Sequence, residues 1–318
     1  MAEVQVRLSS SARSVPERAL AALRRYWFVY LLMLPGLVWI VVFQYGPMYW
    51  LLVAFKDWNI VQGVLRSPWV GLENFQVLFQ TPPFYAALRN TLIINLFVLA
   101  FGFTFTVFLA LMLNEVRVSW YKRTAQTMVY FPHFVSWVVM GALMSRMLYP
   151  EPDSPFNVLV GLFGVQPRHW LTAPEYFRVI VVVVHTIKEA GFATIIYLAA
   201  LSSVNPDLVE SAHCDGAHRG HLMLHIYLPR IAPTIAGLFI LQLAGLFGSN
   251  FDLIYNLYNP AVYDVGDVLS TYLYRTGLLN SKFEQGTALG LVFNVLGLVL
   301  LLSANRVIRR MNVMGIFE

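Results

Sequence analysis

A chain of 318 residues that is 58% hydrophobic and only 12% charged, with a mean hydropathy of +0.62, is not a soluble globular protein: soluble domains carry about 25% charged residues, and the surplus apolar surface must face lipid. One cysteine, Cys214, excludes an intrachain disulfide and a multi-cysteine zinc site. The net charge of +5 does not require a nucleic-acid partner, because the basic residues gather at the ends of apolar runs, where they set membrane topology.

Residues 1–25, Ser-rich and bearing Arg7, Arg13, Arg18, Arg24 and Arg25, read as a cytoplasmic tail. Ser14 is placed there to cap a short surface helix at Val15-Pro16-Glu17. The first apolar run begins near Tyr26; it is too long for a signal-peptide core and has no small-residue cleavage site behind it. Runs long enough for a bilayer, about 20 residues each, fall at Tyr26–Gln44, Asn90–Leu113, Thr127–Leu148, Phe177–Leu201, Pro233–Ile254 and Gly286–Ala304. The first continues past Pro47 to Phe55, as a long tilted helix or as a helix with an interfacial extension. The expected fold is all-α: a polytopic membrane protein with six transmembrane helices over 26–310 and a short tail at 311–318.

Orientation follows from the basic residues. With the N-terminus inside, the inner segments hold 13 Lys and Arg, whereas the outer ones hold Lys56, Arg66, Arg89, Arg168, Arg178, Arg275 and Lys282. That bias puts both termini in the cytoplasm, together with the loop at 203–233 between the fourth and fifth runs. The outer loops at 56–88, 149–176 and 255–285 are too small to be separate domains, and no internal repeat stands out.

The 203–233 loop carries the strongest signal. Asn205-Pro206 reads as a helix start, since Asn caps and Pro at the first helical position gives up no needed donor. Asp207 suits the positive end of the helix dipole. Asp215-Gly216 then breaks the helix, glycine being the residue that takes a left-handed cap without a Cβ clash. A second helix, carrying Leu222, Leu224, Ile226, Tyr227 and Leu228, leads back to the bilayer and is expected to end near Pro229 and Pro233. Two helices about a glycine hinge make a rigid lever, able to pass motion between a soluble partner and the spans.

Glu210-Ser211-Ala212 is followed after three residues by Gly216, and after nine more by Ile226, Leu228 and Pro229. This closely resembles the E-A-A, three residues, G, nine residues, I-x-L-P signature of membrane subunits of ATP-binding-cassette importers. Taken singly, Glu210 and Gly216 are ordinary loop residues; the whole set at this spacing, between the penultimate two spans, is not. Ser211 in place of the Ala at the second position, and His213-Cys214 ahead of Asp215, depart from the family pattern. Tyr30-Leu31-Leu32-Met33-Leu34-Pro35-Gly36, Phe55-Lys56-Asp57 and Trp69-Val70-Gly71-Leu72-Glu73-Asn74-Phe75 are similar to the N-terminal region of carbohydrate importer permeases, in the oligosaccharide and polysaccharide subgroup that includes alginate importers.

The resemblance implies a type I importer transmembrane domain in a bacterial inner membrane, forming half of a translocation pathway for a sugar or oligosaccharide. It implies docking to an ATPase through Glu210, Ser211, Ala212, Asp215, Gly216, Ala217, Arg219, Ile226, Leu228 and Pro229. It also implies a second permease as heterodimer partner, two ATPase subunits and an extracytoplasmic solute-binding protein. No cofactor is expected on this chain. It has no Gly-Lys dipeptide and so no phosphate-cradling loop, which assigns ATP and its Mg²⁺ to the partner ATPase.

Polar groups inside spans are costly and mark pathways. In sugar importers of this family the helices flanking the loop contribute to the cavity, and the matching stretches here, Thr186–Tyr197 and Phe247–Asn250, make Thr186, Lys188, Glu189, Tyr197, Phe247 and Asn250 the pathway candidates. The other reading of these groups is interfacial anchoring and helix-to-helix hydrogen bonding. Thr186, Glu189, Ala193 and Tyr197 share one helical face. Lys188 and Glu189 are adjacent, point about 100° apart and should not both face one neighbour. An acidic sugar would favour cationic cavity residues, and Lys188 is the one good candidate within a span.

Two rivals remain at this level. An ion-coupled carrier would show inverted repeats and broken midplane helices. A metalloenzyme would use His213, His218, His221 and His225, the last two one helical turn apart. However, His133, His169 and His185 lie on other segments, and no Glu stands between His221 and His225.

Overall fold

In lipid every backbone polar group must be paired within the protein, which leaves helices as the means of crossing for runs this apolar. The computed structural model describes residues 15–310 apart from Ser249, with side chains described from 25 to 307. Ser14 and the expected tail at 311–318 lie outside the described residues. Among those described, the one β-type pairing is an isolated bridge between Lys56 and Trp69. Five helices are long and apolar enough to cross a membrane, six if one sharply bent pair counts as a single span.

The chain divides into two compact units, Met1–Leu52 and Val53–Glu318. In the first, helix α1 (Val15–Ile40) bends at Tyr26, whose φ of −115° and ψ of 21° leave the helical region. It continues through a π turn at Val41–Tyr45 into 3-10 geometry from Gly46. The expected short surface helix is therefore not separate: it is the first part of this long helix, set off by the bend.

In the second unit α2 (Pro82–Phe97) passes through a π turn at Val98–Phe103 into α3 (Thr104–Glu115), one span of 34 residues. Next come α4 (Ser119–Tyr130), prolonged by a 3-10 turn at Phe131–Phe134, and α5 (Trp137–Met147), with a bend of 101° at Val135-Ser136 between them. The unbroken third span expected at Thr127–Leu148 is corrected here. Pro132 cannot donate a helical hydrogen bond, and Ser136 starts a new helix by accepting from the Val139 N–H at 3.3 Å.

Helix α6 (Pro174–Ser202) is the most buried span, and α7 (Pro206–Cys214) follows it closely. The chain then returns as one 26-residue helix, Arg219–Ala244, made of Arg219–Leu222, a π turn at Met223–Tyr227, and α8 (Leu228–Ala244). The returning helix was expected to stop near Pro229 and Pro233; it runs through both. The π turn explains how: the Leu228 N–H reaches back to Met223 O, one residue further than in an α-helix, so the ladder is already widened where Pro229 enters. The fifth run, expected to reach Ile254, ends instead at Ala244. A turn follows, with Asn250 left-handed at φ 67°, then a short helix Phe251–Tyr255. Helix α9 (Phe283–Arg310) completes the unit.

Three apolar clusters hold these helices. One joins Ile94, Met140, Phe177, Val181 and Leu253; another joins Phe84, Leu246, Phe247, Leu269 and Leu289. A third joins Val107, Leu111, Tyr197, Leu201, Leu222 and Ile231. Close approach also requires Gly191. A Cβ there would sit 1.9 Å from Val129 O, so the α6 and α4 backbones touch at that point.

The segment at 264–267 is held by side chains far away in sequence. Asn90 donates to Asp264 O and Asp267 O (3.0 and 3.1 Å), Arg89 to Asp264 O, and Arg178 to Val265 O and to Asn90 Oδ1. These groups satisfy carbonyls at the end of the one-turn helix Tyr263–Gly266 and at its cap Asp267, which have no partner further along that helix and would otherwise be left unpaired at a cost.

Candidate functional site

The 203–233 loop folds by local rules. Asn205 Oδ1 accepts from the Asp207 N–H at 2.9 Å and caps α7. At the other end Gly216 takes φ +80°. Its N–H bonds His213 O at 3.0 Å, and the Ala217 N–H bonds Ala212 O at 2.9 Å. That pair of bonds is a Schellman cap, which needs a left-handed residue at the position Gly216 occupies and favours apolar contact between Ala212 and Ala217. The spacing from the alanine to the glycine is thus the spacing of one helix stop. His218 Nδ1 then accepts from the His221 N–H at 3.2 Å, capping the returning helix.

The loop has two faces. Val209, Ala212, Ala217, Ile226 and Leu228 pack on the cluster of Val107, Leu111, Tyr197, Leu201 and Leu222, so the apolar members of the motif lock it to the ends of α3 and α6. Glu210, Ser211, Asp215, Gly216, Arg219 and Pro229 are exposed. Arg219 reaches toward Glu115 at 3.9 Å, a distance and exposure at which the pair contributes little. His221 and His225 stack their rings 4.1 Å apart at 19°. Among the described residues no three His, Cys, Asp or Glu are grouped so as to hold a metal ion.

Deeper in the same unit an open cleft is lined by Trp137, His185, Glu189, Gln242, Asn250 and Asp252. It adjoins a second hollow that shares His185, Gln242 and Asn250 and adds Asn95. Asn250 donates to Asn95 Oδ1 at 2.6 Å, and Asn95 donates to Leu246 O. These two amides tie α2 to the turn where the fifth span ends.

Of the six pathway candidates, Glu189 and Asn250 line the cleft. Lys188 is only 4% exposed: it lies 4.7 Å from the Trp137 ring centre and donates to His133 O at 2.8 Å and to Glu189 Oε1 at 3.2 Å. Glu189 Oε2 is in turn 2.8 Å from His133 Nδ1. The expectation that Lys188 and Glu189 would not face one neighbour is overturned, because the lysine stem is long enough to swing back and both groups meet at His133. Thr186 bonds Val182 O within its own helix and packs beside Gly102. Tyr197 is buried in the cluster beneath the loop, and Phe247 in the cluster with Phe84 and Leu289.

Sequence reasoning did not single out His133, Trp137 or Asn95. Asn95 carried a usable signal, as an amide in the middle of an apolar run. His133 and Trp137 flank the break at Val135-Ser136: Trp137 lines the cleft, and His133 meets the cleft residue Glu189 from behind.

The family model described as "Binding-protein-dependent transport system inner membrane component" matches residues 102–313. The polygalacturonan/rhamnogalacturonan transport system permease protein YteP of Bacillus subtilis (strain 168) is 38% identical over 301 residues, covering 95% of this chain and 94% of its own. Protein LplB of the same organism is 37% identical over 298 residues, covering 94% and 93%. Among solved structures, a bacterial ABC transporter involved in the import of the acidic polysaccharide alginate contains a chain 40% identical, with a TM-score of 0.86 over 92% of this chain and 99% of that one. A bacterial alginate ABC transporter in complex with an alginate pentasaccharide-bound periplasmic protein gives 39% identity and a TM-score of 0.87, over 94% and 100%. A family match over most of the chain, relatives of near-equal length and a capped loop bearing the signature residues lead to one conclusion: this chain belongs to the inner membrane components of binding-protein-dependent transport systems.

Proposed function

We propose that the chain is one half of the translocation pathway of an ATP-driven importer for a sugar oligosaccharide, from the class of acidic polysaccharides that alginate represents. It pairs with a second, distinct permease, docks two ATPase subunits, and receives substrate from an extracytoplasmic binding protein. ATP and Mg²⁺ are handled by the ATPases. The permease domain is 26–310, with both flanking tails, 1–25 and 311–318, in the cytoplasm. The two-faced loop carries this reading: its apolar side is locked to the spans while Glu210, Ser211 and Asp215 are left exposed for a soluble partner. Glu210, Ser211, Ala212, Asp215, Gly216, Ala217, Arg219, Ile226, Leu228 and Pro229 form the docking element. Glu189 and Asn250 line the pathway; Thr186, Lys188, Tyr197 and Phe247 hold its walls. The identity and coverage of the alginate transporter chains support the substrate class.

The chain contains its own reporter. Cys214 is its single cysteine and is exposed at the end of α7. A membrane-impermeant maleimide is expected to label it in inside-out vesicles stripped of ATPase and to leave it unlabelled in intact cells. Adding the ATPase back should protect it, and Glu210→Ala should weaken that protection. Labelling from outside intact cells would overturn the orientation; labelling that the ATPase never affects would overturn the docking role.

A further inference from the structure

The segment between α8 and α9 carries a row of aromatic rings that the cleft alone does not explain. Phe251, Tyr255 and Tyr258 recur at i, i+4 and i+7, one face of a helical turn. Phe251 and Tyr255 stack at 5.2 Å and 18°, Tyr255 and Tyr258 lie 6.1 Å apart, and Tyr258 and Tyr263 5.0 Å apart. Tyr274 closes against both Phe251 (5.3 Å) and Tyr255 (5.2 Å).

The row is held rigidly from behind. Leu253, Ile254, Leu257 and Val262 belong to the buried cluster with Phe177, Tyr258 packs partly buried against that cluster, and the 264–267 carbonyls are tied down by Asn90 and Arg178. Arg275 lies over the Tyr263 ring at 4.8 Å and pairs with Asp267, which fixes the far end and neutralises its charge. Burial pushes the Tyr258 phenol up to about 12, so it remains a neutral hydroxyl. The near end is functional in position, because Phe251 is itself part of the cleft wall beside Glu189, Asn250 and Asp252. Tyr255, midway, is 41% exposed.

Flat rings with hydroxyls at their rims suit the C–H faces of sugar rings, with the hydroxyls left for the edges. A row that only anchored the protein at the lipid boundary would need neither continuity with the cleft nor rigid backing. From the continuity of the row with the cleft, we infer that Tyr263, Tyr258, Tyr255 and Phe251 form a stacking track that passes an oligosaccharide from the outer face to the cleft, one sugar ring per aromatic step. The inference rests on the oligosaccharide reading above and on the orientation that puts this segment outside.

The test uses the full transporter with its binding protein in proteoliposomes and compares uptake of a long alginate oligosaccharide with that of a disaccharide. Tyr255→Ala should raise KM for the long substrate about tenfold, the loss of one stacking contact, with a smaller effect on the short one. Tyr255→Phe should restore uptake, and Tyr255→Leu, which keeps apolar bulk without a flat ring, should not. Unchanged KM in the Ala and Leu variants would overturn the track, and so would an equal loss for both substrate lengths. Absence of saccharide uptake by the unaltered transporter is a different outcome, because it would remove the oligosaccharide reading itself.

Discussion

Lys188 shows what a single residue can do away from the substrate. Its ammonium is almost wholly buried and is held by the His133 carbonyl and the Glu189 carboxylate, under the Trp137 ring. His133 sits in the elbow between α4 and α5, where Pro132 has interrupted the helical ladder, so Lys188 pins a broken span to an unbroken one. Removing one member of such a buried group leaves the other unpaired, which costs about 3–5 kcal/mol where burial is complete and less here, since Glu189 is 30% exposed. Lys188→Met is expected to lower the thermal stability of the detergent-purified chain strongly. Adding Glu189→Gln should recover part of the loss. A double variant no better than the sum of its singles would show that the two groups are not coupled. Residue-level legibility divides along the same line. Asn205, Pro206 and Gly216 were readable because caps and left-handed turns are settled within a few residues. The meeting of Lys188 and Glu189 at His133 was not, because it depends on where another span places a carbonyl 55 residues away.

At the scale of elements, hydropathy located the apolar runs but not their continuity. The third run reads as one apolar stretch, yet it turns through 101°; Pro132 and Ser136 hold that information, and an average over side chains hides it. The opposite happened after the loop. Pro229 and Pro233 read as stops, yet a π turn at Met223–Tyr227 widens the ladder and the helix continues. Continuity here is a functional claim that can be tested. Leu224 and His225 are both exposed, so replacing the pair with Gly-Gly removes little beyond the stack of His225 on His221 while weakening the helix by about 1 kcal/mol per position. The ATPase should still co-purify and hydrolyse ATP, while uptake per ATP falls. Uptake that stays coupled in this variant would show that the helix is not what carries the motion.

For the molecule as a whole, the bonds that matter join parts far apart in sequence. Asn90 reaches Asp267 across 177 positions and Asn95 reaches Leu246 across 151. Such contacts leave no trace in spacing, which is why the loop at 203–233 was legible and the arrangement of the cleft was not. Family resemblance supplied the matching stretches, but only packing separates Glu189 and Asn250, on the wall, from Tyr197 and Phe247, behind it. Asn90→Leu should therefore act at a distance. With the carbonyls of Asp264 and Asp267 left without that donor, at about 1–3 kcal/mol, the segment from 255 to 282 should become more sensitive to external protease while the 203–233 loop is unaffected. Equal protection of the segment in both proteins would show that Arg89 and Arg178 suffice.

The helix from Arg219 to Ala244 has one more consequence. It begins at the capped turn and passes Gln242, a side chain of the cleft. At 1.5 Å per residue the distance from Arg219 to Gln242 is about 35 Å, so a tilt of about 5° at one end sweeps the other by about 3 Å. That is the width of a hydrogen bond, enough to make or break one to a bound hydroxyl. On the function proposed above, the subunit then needs no relay of small adjustments between its docking loop and its cleft. It has a gear ratio, set by the length of one rod, and a shorter or softer rod would slip.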